Sequence, residues 1–133
     1  LLEINKQGAK NNRAIDCLLQ VYIAKQETKF GLDEQELKDL SDKIRSTPDQ
    51  FSHICVKGLM GMASNTTDQA VIKAEFQSLR SLYDLYAIHS DDTWQFNTLS
   101  MGMSSDYKLA IEAGSNMIRI GSLLFGERNY PVM

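Results

Sequence analysis

The segment from residue 99 to residue 126 holds the side chains whose types and spacing could do chemistry. Ser100 stands in a run of serine, methionine and glycine at the end of one predicted strand, and Gly121 and Ser122 end the next one. Turns of small residues leave backbone N–H and hydroxyl groups free to bind an anion, and a helix that begins there adds its positive end. These turns therefore predict a phosphate site.

Arg119 lies between the two turns, inside an apolar strand and two residues before Gly121. Because side chains alternate along a strand, Arg119 shares the side of Gly121. An arginine is seldom buried without a partner, and the spacing leaves two interpretations open. Arg119 either pairs with a structural carboxylate such as Asp106 or contacts a ligand. Ser104 is likewise either part of the anion-binding turn or a helix N-cap.

The lysines are less informative than these turns. Lys25 and Lys29 follow the first predicted strand, where solvation is the simplest expectation, although their loop opens on the same face as the serines. Lys57 lies inside the second predicted strand. If that strand is an edge, Lys57 faces water and discourages aggregation; if the strand is central, Lys57 needs a partner.

Composition and charge exclude several function classes. The chain has 133 residues, enough for one compact domain, and a net charge of −3 without a long basic block, so we expect no nucleic-acid partner. No apolar run approaches the ~20 residues that span a bilayer, and no signal-peptide pattern opens the chain. We therefore expect no membrane partner and a cytoplasmic location.

Cysteine and histidine usage predicts neither a disulfide nor a metal site. Cys17 and Cys55 both fall in predicted strands, where a thiol behaves as a small buried hydrophobe. His53 and His89 have no cysteine, histidine or carboxylate at metal-ligand spacing, so packed or solvated histidines are expected.

Strand and helix patterns alternate along the chain, after the tail of a helix in the first residues. Apolar runs predict strands over residues 17–24, 54–62, 97–101 and 117–121. The intervening stretches have helical periodicity: one helix begins at Asp33 with Glu36 as its capping partner and ends before Pro48, a second follows Thr66 and Thr67, and a third covers residues 105–113 with Gly114 after its end. A short apolar segment occupies residues 123–125.

This order predicts an α/β fold with four parallel strands joined by right-handed crossovers. Periodicity leaves two architectures open, a small open sheet or one half of a (β/α)8 barrel, since a complete barrel needs about 250 residues. In both, ligands collect at the carboxyl ends of the strands, which is where the serine and glycine turns fall.

Three motifs carry a family resemblance: LSMGMSSDYKLAIEAGSNMIRIGSLLFGERNY, LLQVYIAKQETKFG and KGLMGMA. With them the chain closely resembles the C-terminal half of the pyridoxal phosphate homeostasis proteins, the YggS or PROSC family, whose fold is like the barrel domain of alanine racemase. The resemblance covers nearly the whole chain. It implies that residues 1–133 are a single partial domain, the second half of a (β/α)8 TIM-type barrel.

The resemblance also implies a cofactor, pyridoxal 5′-phosphate (PLP), and a role in PLP homeostasis. Ser100, Gly121 and Ser122 would hold the phosphate, and Arg119 would face the nitrogen of the pyridine ring. A permanent cation there keeps the nitrogen unprotonated and makes the ring a weaker electron sink. That suits a carrier better than broad amino-acid chemistry.

The chain departs from the family pattern at several positions. Tyr22 stands where the family usually has Asn, Asn116 where it has Thr, and Ser122 where it commonly has Thr, the last change keeping the hydroxyl. The lysine that binds the cofactor covalently lies in the family's N-terminal half, and no lysine here matches it. We therefore expect reversible, non-covalent binding of PLP or another phosphorylated small molecule, and no catalysis by this chain.

Two other interpretations stay open at this point. One is a PLP-dependent racemase-like enzyme, which needs a lysine and an acid–base partner across the ring. The other is a non-catalytic assembly module with a vestigial site. The strand edges of a half-barrel predict either a longer protein or a homodimer formed through those edges.

Overall fold

The computed structural model describes residues 1–25 and 30–128. Its helices and strands alternate along the chain. In order they are α1 (Leu2–Lys10), β1 (Ile15–Gln20), α2 (Glu34–Ser46), a 3₁₀ turn (Pro48–Phe51), β2 (Ile54–Gly61), α3 (Gln69–Ala87), β3 (Trp94–Met103), α4 (Tyr107–Glu112), β4 (Met117–Arg119) and α5 (Ser122–Phe125). None of the described helices is long and apolar enough to cross a bilayer.

The strands form one parallel sheet in the order β1-β2-β3-β4, so the predicted α/β half-barrel of four parallel strands alternating with helices is confirmed. Strand ends differ from the prediction. β1 begins at Ile15 and stops at Gln20, because the chain then forms only a single bridge, from Val21 to Leu32. β3 begins three residues early, at Trp94. β4 stops at Arg119 because the following residues turn into α5.

Helix ends follow the capping chemistry, with one correction. The Asp33 carboxylate accepts from the Glu36 N–H at 2.8 Å and the Asp33 N–H donates to the Glu36 carboxylate at 3.2 Å, which confirms the capping box of α2. The prediction that Thr66 or Thr67 caps α3 is wrong. Asp68 is the N-cap and accepts from the Ala70 N–H at 3.0 Å.

The apolar core joins the sheet to α2 and α3. Trp94 is its largest fully buried side chain, stacked on Phe96 with 4.8 Å between ring centroids and donating from its indole nitrogen to the Tyr86 carbonyl at 2.9 Å. Burying apolar surface stabilises the folded state by about 25 cal/mol per Å², so these side chains favour folding in proportion to the area that they bury. Its other fully buried members include Leu37, Ile44, Ile54, Leu59, Phe76, Leu79, Leu99 and Met101.

Side chains help to attach the short strand β4 to β3. The Asn116 amide accepts from the Leu99 N–H and donates to the Asn97 carbonyl, both at 2.8 Å. Ser115 adds a hydroxyl that donates to the Met101 carbonyl at 2.7 Å. These bonds replace ladder bonds before β4 begins, so Asn116, one of the family departures, acts as a substitute for strand pairing.

The structure decides between the two interpretations of Lys57. Because β2 lies between β1 and β3, Lys57 is on a central strand and needs a partner. Its ammonium donates to the Gln95 side-chain oxygen at 3.0 Å. The next residue, Gly58, lies so close to β3 that a Cβ there would overlap the Thr98 carbonyl oxygen. Only glycine fits this contact.

Candidate functional site

A cleft of about 850 Å³ opens at the carboxyl ends of β2, β3 and β4. Three of the residues predicted from the sequence line it, namely Arg119, Gly121 and Ser122. Ser100 is not among the lining residues: it is 1% exposed and lies deeper in β3, level with Met117 of the neighbouring strand. The structure thus brings three of the four predicted residues together and places the fourth beneath them.

The serine that meets the turn after β4 is Ser104. Its hydroxyl accepts from the Leu123 N–H at 3.3 Å, which joins the end of β3 to the first turn of α5. Ser104 is therefore not the N-cap of α4, whose N-cap position is Asp106. β3 ends at Met103, two residues later than predicted from the sequence. Ser104 is the first residue with a hydroxyl after that end, and this position is the signal that could have identified it.

Arg119 is half-buried and incompletely paired. One terminal nitrogen of its guanidinium donates to the Gly61 carbonyl at 3.2 Å, while Nε is buried and has no hydrogen-bond partner among residues 1–25 and 30–128. No carboxylate lies within 4 Å of Arg119 in the described part of the chain, so the interpretation of an Arg119–Asp106 ion pair is wrong. Burial lowers the pKa of the Arg119 guanidinium, and the Asp106 carboxylate acts in the opposite direction.

The Asp106 carboxylate has another structural role. It accepts from the Met103 N–H at 2.9 Å and so closes the turn that carries Ser104. The Asp106 carboxylate thus closes this turn and does not accept a hydrogen bond from the Arg119 Nε. A buried N–H donor without an acceptor is costly, and Arg119, which lines the cleft, also has guanidinium N–H groups besides the one bonded to Gly61 that a ligand would accept from.

The cleft therefore has two kinds of group for a ligand. Around Ser104, Gly121 and Ser122 it has hydroxyls and small-residue backbone that suit an anion. At Arg119 it has a fixed cation with an unused donor that suits a neutral acceptor such as an aromatic ring nitrogen. No described residue comes within 4 Å of where a Cβ on Gly121 would stand, so the turn leaves room for a ligand group.

Tyr22 and the lysines lie elsewhere. Tyr22 is half-buried directly after β1, and its N–H donates to the Leu32 carbonyl at 2.8 Å. Neither Tyr22 nor any lysine is among the described residues that line the cleft. Lys29 lies outside the described residues.

Comparison with known proteins finds one family and a set of relatives. A profile of the alanine racemase N-terminal domain family matches residues 1–129. The chain is 35% identical over 127 residues to a pyridoxal phosphate homeostasis protein of Pasteurella multocida, covering 96% of this chain and 52% of that protein. It is 37% identical over 128 residues to the protein of the same name from Aquifex aeolicus, covering 96% of this chain and 54% of that one.

Solved structures agree with this result. PipY of Synechococcus elongatus, whose structure has PLP bound, matches with a TM-score of 0.73 and 26% identity over 92% of this chain and 54% of PipY. A protein of unknown function from Bifidobacterium adolescentis matches with a TM-score of 0.74 and 28% identity, covering 92% of this chain and 47% of that protein. The chain thus spans about half the length of the relatives that it matches.

Proposed function

Because the chain belongs to the alanine racemase N-terminal domain family, we propose that it forms the phosphate- and ring-nitrogen-binding half of a PLP-binding protein that acts in PLP homeostasis. The relatives named for that role and the PLP-bound PipY structure support the proposal. Residues 1–133 are then one partial domain of the barrel.

The observation that carries the proposal is the position of Arg119 in the wall of the cleft, with a guanidinium whose Nε has no acceptor among the described residues. A pyridine nitrogen in its neutral form accepts one hydrogen bond in the plane of the ring, and a guanidinium N–H provides it. A protonated ring nitrogen has no lone pair left and would repel the cation. Arg119 therefore selects the neutral ring and keeps it neutral.

The phosphate is held by the turn groups. Ser122 and the backbone at Gly121 lie on one side of the cleft, and Ser104 lies on the other, joined to α5 through Leu123. We assign the direct hydroxyl contacts to Ser104 and Ser122. Ser100, at 1% exposure, supports the strand beneath them and contacts the phosphate only if β3 moves.

Carrier function fits these residues better than catalysis. PLP supplies an aldehyde and an electron-accepting ring when it is bound, and Arg119 weakens the second of these by keeping the ring nitrogen unprotonated. No lysine is among the described residues that line the cleft, so binding by this chain is reversible. The free thiols of Cys17 and Cys55 suit the reducing cytoplasm in which we place the protein.

Equilibrium titration with PLP tests the proposal. We expect saturable binding that inorganic phosphate competes away, weakened in Ser104→Ala and Ser122→Ala but not in Ser90→Ala, a matched loss of an exposed hydroxyl in the loop between α3 and β3. Borohydride treatment should leave no covalent adduct on the chain. Absence of saturable binding by the wild type, or equal affinity of all four proteins, would refute the assignment.

The open edges of the sheet suggest that the chain also self-associates. Residues near the β4 edge expose apolar side chains, with Ile118 at 36%, Leu124 at 72% and Phe125 at 86% exposure. An edge strand with apolar neighbours is a template for pairing. We infer a homodimer through the half-barrel edges. Light scattering that shows only monomer across a wide concentration range would rule it out.

A further inference from the structure

Glu75 is a buried carboxylate that the proposed ligand contacts do not use. It lies on α3 with 3% of its surface exposed, on the same side of the helix as Ile72, Phe76 and Leu79. No basic nitrogen lies within 4 Å of it in the described part of the chain. Burying a carboxylate without a cation costs free energy, so the hydrogen bonds that Glu75 accepts have to offset this cost.

Within residues 1–25 and 30–128, the donors to Glu75 come from two loops. Its Oε1 accepts from the Ser64 N–H at 2.7 Å, and its Oε2 accepts from the Ser64 hydroxyl at 2.7 Å and from the Lys25 N–H at 3.3 Å. The Ser64 hydroxyl oxygen in turn accepts from the Lys25 N–H at 2.9 Å. Hydrogen bonds to an ionised acceptor are about twice as strong as neutral ones, so this network holds both loops firmly.

These loops follow β1 and β2 at the edge of the sheet where the cleft opens. Ser64 lines the cleft together with Met62, Ala63 and Asn65. Lys25 lies in the segment that follows β1. Further along the chain, the Leu32 N–H donates to the carbonyl of Gln20, the last residue of β1, at 2.8 Å. Glu75 thus ties both loops to helix α3.

We propose that Glu75 is a positioning residue that sets the wall of the ligand cleft by fixing the loops after β1 and β2. It acts through Ser64 and the Lys25 backbone and touches no ligand itself. The effect on PLP affinity rests on the proposed function, whereas the effect on the loops does not. An apolar side chain at this position would suit the surrounding core and leave the Lys25 and Ser64 donors unsatisfied.

Three variants of the full chain test the proposal, with Ile44→Val as control. Ile44 is fully buried in α2 and does not line the cleft, so Ile44→Val lowers stability without reaching the loops. In ligand-free protein we expect Glu75→Ala to speed hydrogen exchange at the Lys25 and Ser64 amides about tenfold or more. That factor corresponds to the loss of one charge-assisted hydrogen bond at each amide. Ser64→Ala should speed exchange at Lys25, since its hydroxyl acceptor is removed.

Glu75→Gln separates positioning from packing. Glutamine has nearly the same shape and keeps one oxygen for the Ser64 N–H, but its amide hydrogens face the Lys25 N–H. We expect Ser64 to stay protected, while the Lys25 N–H loses its bond to Glu75, keeps its bond to the Ser64 hydroxyl and exchanges faster by less than in Ser64→Ala. PLP affinity, measured well below each melting temperature, should fall about tenfold in Glu75→Ala and remain unchanged in Ile44→Val.

The outcomes separate the two claims. Unchanged exchange at Lys25 and Ser64 in Glu75→Ala would overturn the proposal whatever the ligand does. Faster exchange with unchanged PLP affinity would overturn the influence on the cleft. If the wild type fails to bind PLP, the proposed function fails, and the exchange data still decide whether Glu75 positions the loops.

Discussion

Replacing Arg119 by alanine removes the group on which the proposed cofactor site depends most. The substitution deletes the unpaired Nε donor and also the bond from the guanidinium to the Gly61 carbonyl. Loss of the Nε donor should weaken ligand binding and break no protein bond, because Nε has no acceptor among the described residues. The second loss falls on the protein, because Gly61 ends β2 beside the cleft.

The magnitude follows from these two bonds. A hydrogen bond to a charged group is worth about 1.5–3 kcal/mol, so the loss of the Nε donor should raise the Kd for PLP roughly 10- to 150-fold. Loss of the Gly61 contact alone would lower the free energy of unfolding by about 1.5–3 kcal/mol, but the substitution also removes the costly unpaired Nε, so we expect a net loss of about 1 kcal/mol. Arg119→Lys keeps the charge but is a point donor and cannot reach both acceptors in the planar geometry of arginine. We expect its affinity to be intermediate.

A ligand variant makes the assay specific to the ring nitrogen. PLP methylated at that nitrogen carries a fixed positive charge and cannot accept a hydrogen bond. Wild type should bind it more weakly than PLP, and Arg119→Ala should bind the two ligands almost equally. The coupling energy between Arg119 and the ring nitrogen is RT times the logarithm of the wild-type ratio of the two Kd values divided by the Arg119→Ala ratio. Arg128→Ala, which removes an exposed cation lining the same cleft, is the control and should keep the discrimination.

Two results would refute this reasoning. If the wild type binds both ligands equally, Arg119 does not contact the ring nitrogen. If Arg128→Ala weakens PLP binding as much as Arg119→Ala does, the cleft attracts the phosphate through its overall charge, and the unpaired Nε has no specific role.

Three further predictions concern stability. Gly58→Ala should prevent folding or lower the melting temperature sharply, as seen by circular dichroism, whereas Gly121→Ala, in open space, should fold normally. Asp33→Ala should cost about 1 kcal/mol in urea unfolding through loss of the α2 cap. Burial raises the pKa of Asp91, but hydrogen bonds from His89 and Thr93 outweigh it, and the net pKa is lowered. Asp91 therefore stabilises the fold above its ordinary pKa of 3.8, and this advantage over Asp91→Asn should disappear as the pH falls through the lower folded-state value.

Much of the fold was predictable because its helices have regular apolar spacing and local caps. The capping box of α2 depends on Asp33 and Glu36, three residues apart, and so is visible in the sequence. The start of β3 was not, because Trp94 joins the sheet by pairing with Val56 of β2, a distant residue in the sequence. The N-cap of α3 was ambiguous because three neighbouring residues can all cap a helix.

The site divides in the same way. The position of Arg119 before a small-residue turn was visible in the sequence, whereas its unpaired nitrogen depends on where Asp106 points. Ser104 was identified as a candidate, but its contact with Leu123 spans 19 residues of chain. Glu75 was not identified from the sequence, because the donors that bond to it lie 11 and 50 residues away along the chain.

Strand order in the sheet equals strand order in the chain, and this affects how the molecule is built. Each new strand has to close only one helix-sized loop to pair with its predecessor, which keeps the entropic cost of every step small. Synthesis from the N-terminus can thus add one unit at a time. The last strand, β4, has three residues and is the least paired, so we expect it to open first. Opening at β4 would release whatever the cleft holds while β1 to β3 stay folded.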